Sequence, residues 1–323
     1  MMHELLLDVE NLSVDFNTEK GRVRVVDGVS LQLARGETLG LVGESGCGKS
    51  VTAQTIMRLL PTPPSHIAGG HIHFEGEDLA MIAESRMRKI RGDKIGMIFQ
   101  EPMTSLNPTQ RIGQQIAESL TLHRGLSYRE SLPKVMDVLK KVGIGNAVGR
   151  IDQYPHELSG GLRQRVMIAM AIVCGPKLLI ADEPTTALDV TIQAQIMELL
   201  QALQRDLNLS ILLITHDLGS IAEICRSMAV MYAGRVVEKG GTAEIFATPR
   251  HPYTYGLIGS SPRRAKKGEK LLSIPGLVPP PGQRAKGCNF ADRCPNVLEK
   301  CRSVAPDLMV MQGREVACWN PMP

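Results

Sequence analysis

The stretch Gly43-Glu-Ser-Gly-Cys-Gly-Lys-Ser50 constrains this chain more than any other. It satisfies the pattern G-x-x-x-x-G-K-S in full, between a predicted strand at Thr38 to Val42 and a predicted helix over Ser50 to Leu60. Glycines let the backbone curl so that its amides point inward at a phosphate, and the start of the helix adds the positive end of its dipole. The candidate nucleotide-binding residues are therefore Gly43, Glu44, Ser45, Gly46, Cys47, Gly48, Lys49, Ser50 and Val51. Lys49 would reach the outer phosphates, and Ser50 would offer its hydroxyl to Mg²⁺.

The rest of the pattern predicts an α/β phosphate-loop fold. Short apolar stretches between turn signals over residues 4–42 predict a strand-rich layer. Apolar residues at helical steps (Ile112, Ile116 and Leu120, then Val135, Val138 and Leu139) predict helices over 111–143. After these come a helix at 160–174, a strand at Leu178 to Ala181, a helix at 190–207, a strand at Ile211 to Thr215 and a helix at 218–226. That alternation is expected of a parallel sheet. The apolar run at Leu178 ends in Asp182 and Glu183, which places two carboxylates at the carboxyl end of a strand. Asp182 would hold Mg²⁺ through water, and Glu183 would polarise an attacking water, a role that needs a carboxylate within hydrogen-bond reach.

The chain has 323 residues, enough for one large domain and an appendage. It lacks any run of 18 apolar residues and begins without a secretory pattern, so the expectation is a protein that stays in the cytoplasm. Charge is unevenly placed: residues 251–323 hold 11 Lys and Arg against 5 Asp and Glu, whereas the preceding residues are slightly acidic. A basic tail admits nucleic acid as a partner, but aromatics are only 3% of the chain, too few for base-stacking surfaces, and no nucleic-acid partner is expected. Pro249 and Pro252 mark a change of character into a basic, proline-rich tail, so the expected division is 1–250, with a helical subdomain at about 100–160, and a small lobe at 251–323.

At Leu158-Ser-Gly-Gly-Leu-Arg-Gln-Arg165 the sequence resembles the signature of the ABC transporter ATPases, again a glycine turn opening a helix. That resemblance implies two subunits sharing ATP, with Ser159, Gly160 and Gly161 touching the γ-phosphate held by the partner. A plain helix cap by Ser159 is compatible with the same residues. Gln100 in Met-Ile-Phe-Gln, Asp189 in Ala-Leu-Asp and His216 in Ile-Thr-His-Asp follow in the family's order. By resemblance Gln100 senses the γ-phosphate, sits at Mg²⁺ and meets the membrane subunit, Asp189 contacts the partner ATPase, and His216 pins the γ-phosphate. The family also stacks an aromatic ring on adenine; Phe16 is the nearest candidate, and burial in the core is the alternative for it.

Gln100-Glu-Pro-Met-Thr-Ser-Leu-Asn-Pro108 and Arg250-His-Pro-Tyr-Thr254 narrow the resemblance to the oligopeptide and dipeptide importer ATPases, with nickel and glutathione importers sharing much of the pattern. This implies a peripheral subunit on the cytoplasmic face of the inner membrane. It would be paired with a sister ATPase as a heterodimer, docked through residues 96–150 on two membrane-spanning permease subunits, and served indirectly by an external substrate-binding protein. A soluble ABC ATPase acting on nucleic acid is the rival from another class.

Cys288, Cys294, Cys301 and Cys318 cluster within the tail. In a reducing compartment four close thiols point to metal rather than disulfides. The spacing contains no C-x₂₋₄-C zinc knuckle and misses the common ferredoxin patterns. Resemblance to the importer tail favours a [4Fe–4S] cluster; zinc and free or paired thiols are the alternatives. Arg284, Lys286, Arg293, Lys300 and Arg302 lie close in sequence and would offset the charge of such a cluster.

Overall fold

A computed structural model of the chain describes residues 4–19, 21–101, 105–186, 188–261 and 273–323. Its strands are β1 (Leu5–Thr18), β2 (Gly21–Ala34), β3 (Thr38–Val42), β4 (Ser65–Phe74), β5 (Glu77–Asp78), β6 (Ile95–Ile98), β7 (Leu178–Asp182), β8 (Ser210–Thr215), β9 (Ser227–Tyr232), β10 (Arg235–Gly241), β11 (Met309–Met311) and β12 (Arg314–Val316). Contacts divide the chain into two compact units, one of residues 5–33, 38–81 and 213–323, the other centred on 82–212 with 34–37. The boundary passes through β8.

The first unit holds an antiparallel sheet in the order β2-β1-β4-β5. Here β1 and β2 are far longer than the short apolar runs suggested, because polar residues continue each strand past its buried part: β1 closes with half-buried Phe16 and exposed Asn17 and Thr18. The same unit carries the run β11-β12-β10-β9-β3 of a larger sheet, with β3 and β9 parallel and the remaining pairs antiparallel. Every residue of β3 is buried, as expected of a strand covered on both faces. Residues of the tail thus build β12 onto the edge of β10, through Glu238 opposite Val316 and Lys239 opposite Glu315.

In the second unit β6 and β7 pair in parallel, Ile95 opposite Leu178 through Ile98 opposite Ala181, and all their residues are buried. Helices Ile112–Arg124, Tyr128–Lys141, Gly160–Ile172 and Val190–Leu207 lie where helical periodicity predicts them. Gly125 in the left-handed region ends the first of these, and Ser127 opens the second with a capping box to Glu130. Among the described residues no helix is long and apolar enough to cross a membrane.

Candidate nucleotide and thiol sites

The phosphate loop leaves β3 at Val42 and enters the helix Lys49–Ile56, the strand-to-helix setting its chemistry requires. Gly43 has to be glycine because a Cβ there would stand 2.2 Å from the carbonyl oxygen of Met231. Gly48 sits at φ +107° and caps the helix without a side-chain hydrogen bond, in the position from which a helix N-terminus faces an anion. Ser45 and Gly46 are exposed at the tip, while Lys49 is only 4% exposed. Its Nζ donates to the carbonyls of Gly43 (2.8 Å) and Glu44 (3.1 Å), which holds the ammonium across the loop. Burial raises the Cys47 thiol, despite Lys49 beside it, and this favours the neutral form.

The helix ends at Ile56, four residues short of the predicted Leu60. Arg58 adopts φ 49°, and the amide of Leu59 turns back to the carbonyl of Gln54 (2.8 Å). A left-handed residue therefore closes the helix before Pro61 can. His216 is exposed beyond β8, and Asp217 fixes the turn that carries it by accepting from the amides of Gly219 (3.0 Å) and Ser220 (3.1 Å) and from the Ser220 hydroxyl. Phe16 is half-buried opposite Ser65.

In the other unit β7 ends at Asp182, buried to 2% exposure, and Glu183 follows at φ 48°. A non-glycine residue there costs about 1–3 kcal/mol and persists only where its surroundings fix it, a pattern common at functional positions. The Thr186 hydroxyl donates to Glu183 Oε2 (2.9 Å), and Gln100 Nε2 lies 3.5 Å from the same oxygen. Two residues proposed for one reaction, 83 positions apart, are thus neighbours. Ser159 caps the helix Gly160–Ile172 by accepting from Leu162, and Ser159 and Gly160 are exposed. Asp189 caps the helix Val190–Leu207 through the Ile192 amide (3.0 Å) and is exposed beside Val190. Of the stretch Gln100 to Pro108, residues 102–104 lie outside the described residues, as does Ala187 of Ala-Leu-Asp.

Cys288, Cys294, Cys301 and Cys318 line one small pocket with His251 and Trp319. Backbone amides approach two of the sulfurs, Leu298 at Cys301 and Asn320 at Cys318, each at 3.4 Å. Burial raises Cys288 and Cys294 and pushes Cys318 up to about 11, so these thiols are protonated at neutral pH unless a cation takes the proton's place. Among the described residues the one group of three or more His, Cys, Asp or Glu ligand atoms all within 4.8 Å of each other is His71, His73 and Asp78; the four sulfurs are spread more widely. Two of the nearby cations are engaged elsewhere, Arg293 with Glu44 (3.0 Å) and Arg302 with Asp292 (3.1 Å), whereas Lys300 lies 3.4 Å over the ring of Trp319, a residue of the pocket.

Residues 26–186 match the family described as ABC transporter, and residues 237–301 match the oligopeptide/dipeptide transporter, C-terminal region. The dipeptide transport ATP-binding protein DppD of Bacillus subtilis is 49% identical over 317 residues, spanning 98% of this chain and 95% of that one. Among solved structures, the dimeric bacterial ABC transporter cassette MJ0796 superposes with a TM-score of 0.65 at 26% identity over 73% of this chain and 98% of that chain. The protein cbiO1 of Clostridium perfringens, part of the ABC transporter complex cbiONQ, gives 0.64 at 30% identity over 76% of this chain and 92% of that chain. With its phosphate loop, its signature helix and the importer-type tail, the chain belongs to the ABC transporter ATP-binding subunits of the oligopeptide and dipeptide importer family.

Proposed function

We propose that this chain binds and hydrolyses ATP to drive import of dipeptides or oligopeptides through an ABC transporter. The observation that carries the cargo class is the match of residues 237–301 to the importer C-terminal region, following the cassette in one chain. Residues 1–250 form the nucleotide-binding part in this reading, and 251–323 the importer-specific lobe.

The loop Gly43 to Val51 holds the ATP phosphates, with Phe16 against the adenine, and Ser50, Gln100 and Asp182 serve Mg²⁺. Glu183 polarises a water, which attacks the γ-phosphorus while the bond to the bridging oxygen breaks, leaving ADP and phosphate. His216 steadies the γ-phosphate. A charge-spreading transfer of this kind is catalysed by positioning and electrostatics rather than covalent chemistry. The open N-terminus at Ser159, Gly160 and Gly161 serves the ATP of the partner, and Asp189 meets that partner. The partner is a sister ATPase, and both sit on two permease subunits at the cytoplasmic face of the inner membrane, fed by an external binding protein.

The four thiols fit a [4Fe–4S] cluster. They surround a single pocket, and amides aimed at sulfur are the kind of hydrogen bond that tunes such clusters. The spacing of the four cysteines contains no C-x₂₋₄-C knuckle, which counts against a zinc site. When bound, the cluster would supply a one-electron redox couple, and Cys288, Cys294, Cys301 and Cys318 would hold it.

Affinity purification of the chain from membranes tests the reading. Recovery of two multispanning subunits and a second ATPase is expected; nucleic acid in their place would overturn it. Anaerobically purified protein should be brown, and colourless protein containing zinc would refute the iron–sulfur assignment.

A further inference from the structure

Glu44, the first variable residue of the phosphate loop, is gripped from the tail. Its amide donates to the Tyr253 hydroxyl oxygen (2.9 Å), and its Oε2 accepts from Arg293 Nη1 (3.0 Å). Neither contact is a surface accident. Tyr253 is fully buried, and the Arg293 side chain is 7% exposed. The guanidinium is spent on all sides: Nε donates to the carbonyl of Pro275 (2.8 Å), Nη2 to that of Ile274 (3.3 Å) and Nη1 also to the Tyr232 hydroxyl (3.3 Å). A planar fork held this way has one orientation, so its remaining contact places the carboxylate of Glu44 rather than following it.

The support beneath the grip is aromatic. Tyr232, Tyr253 and Phe290 stand with ring centroids 4.6 to 5.4 Å apart, in tilted and edge-on arrangements that aromatic pairs prefer. Tyr253 is set by the turn before it, where His251 Nδ1 accepts the Tyr253 amide (3.0 Å) and caps the helix Pro252–Gly259. Arg293 directly precedes Cys294, and Phe290 and His251 line the thiol pocket. Glu44 in turn offers its carbonyl to Lys49 Nζ, so whatever fixes Glu44 also fixes one of the two carbonyls that hold the phosphate-binding lysine.

We propose that Tyr253 and Arg293 are positioning residues of the phosphate loop, which hold Glu44 in place so that the packing of the importer-specific tail sets the affinity for MgATP. A loop already ordered loses less conformational freedom when phosphate binds, and the gain shows in binding of ground state and transition state alike. The inference rests on the reading that Gly43 to Ser50 binds the ATP phosphates; it does not depend on the cargo or on what the four thiols hold.

Calorimetric titration of the full-length chain with MgATP tests it, alongside steady-state hydrolysis by the intact transporter complex. Tyr253→Phe and Arg293→Met should each weaken MgATP binding by about five- to twentyfold, the span expected for loss of one hydrogen bond to a charged or loop-fixing group. KM for ATP should rise by a similar factor while kcat stays within about twofold, the pattern of lost uniform binding. Arg293→Met combined with Glu44→Met should be no weaker than Arg293→Met alone, because both remove the same contact. Affinities within about twofold of the unaltered chain, additive losses in the double variant, or a fall in kcat at constant KM would each overturn the proposal. Should Arg293→Met fail to fold, Tyr253→Phe and Glu44→Met, which keep side-chain size, decide by the same criteria. Lys49→Ala separates the two levels: if it binds MgATP normally, the phosphate-loop reading itself falls, whereas normal binding by the tail variants alone removes only the coupling.

Discussion

Replacing Glu238 by alanine should remove about 4 kcal/mol of stability, somewhat less than the sum of the contacts it breaks. The side chain is fully buried on β10. Oε1 accepts the amide of Arg250 and Oε2 that of His251, both at 2.9 Å, and the Arg314 guanidinium lies 3.5 Å from Oε1 with only 4% of its side chain exposed. Alanine leaves two amides without their acceptor and a buried cation without its carboxylate. Breaking a buried ion pair costs about 3–5 kcal/mol, and a stranded amide about 1–3. The full total is not reached, because Arg314 keeps the Glu244 carbonyl (3.2 Å) and the Thr248 hydroxyl (2.8 Å). Urea unfolding of the full-length chain measures the loss, and hydrogen exchange should localise it to Arg250 and His251, at the start of the helix that presents Tyr253. Glutamine, which keeps one acceptor but turns an amine toward an amide, should cost less than alanine. A loss below about 1 kcal/mol for alanine would refute the reasoning, since only a surface ion pair is worth so little.

Three further outcomes follow from local geometry. Hydrogen bonding from Arg24, and then from Arg22, holds the Asp15 carboxyl below the ordinary carboxylate range. The stability this gives is present above the unfolded value of about 3.9 and is lost as pH falls through the lower folded value, so Asp15→Asn should narrow the gap between urea midpoints at neutral and strongly acid pH. Burial takes the His251 imidazole down to about 3, so the folded chain keeps it neutral while the unfolded chain takes up a proton below about 6.5; His251 should therefore cost stability increasingly as pH falls from about 6.5 toward 3, and urea midpoints across that range check it. Asp217→Ala removes the cap of the helix Leu218–Ile224, at a cost of about 1–2 kcal/mol. Freed from that turn, His216 should lose its placement, lowering kcat of the transporter about tenfold while the chain still binds ATP.

The nucleotide machinery was legible in sequence because its parts are local. A loop of eight residues between strand and helix, a strand ending in two carboxylates and a capped glycine helix each carry their signal within a few positions, and the structure puts them on the elements predicted. The tail was only partly legible. Four cysteines could be grouped by their spacing, yet the partners of the surrounding cations could not: Arg293, expected to offset a cluster, is committed to Glu44, 249 positions away. Tyr253 stood out within Arg250 to Thr254 without any local clue that its hydroxyl meets the phosphate loop. Such contacts depend on which strands share a sheet, and no periodicity encodes that. The lengths of β1 and β2 were missed for a related reason, since polar residues extend a hairpin without any apolar alternation to announce it.

The central claim, that this chain is an ATP-hydrolysing engine with Glu183 activating the water, is tested most directly by Glu183→Gln in the purified transporter. The substitution keeps shape and the Thr186 contact but removes the base, whose contribution is about 10²–10⁴-fold. The account predicts that hydrolysis falls by at least about a hundredfold while ATP is bound and retained. Turnover at the unaltered rate, with ATP bound normally, would contradict it.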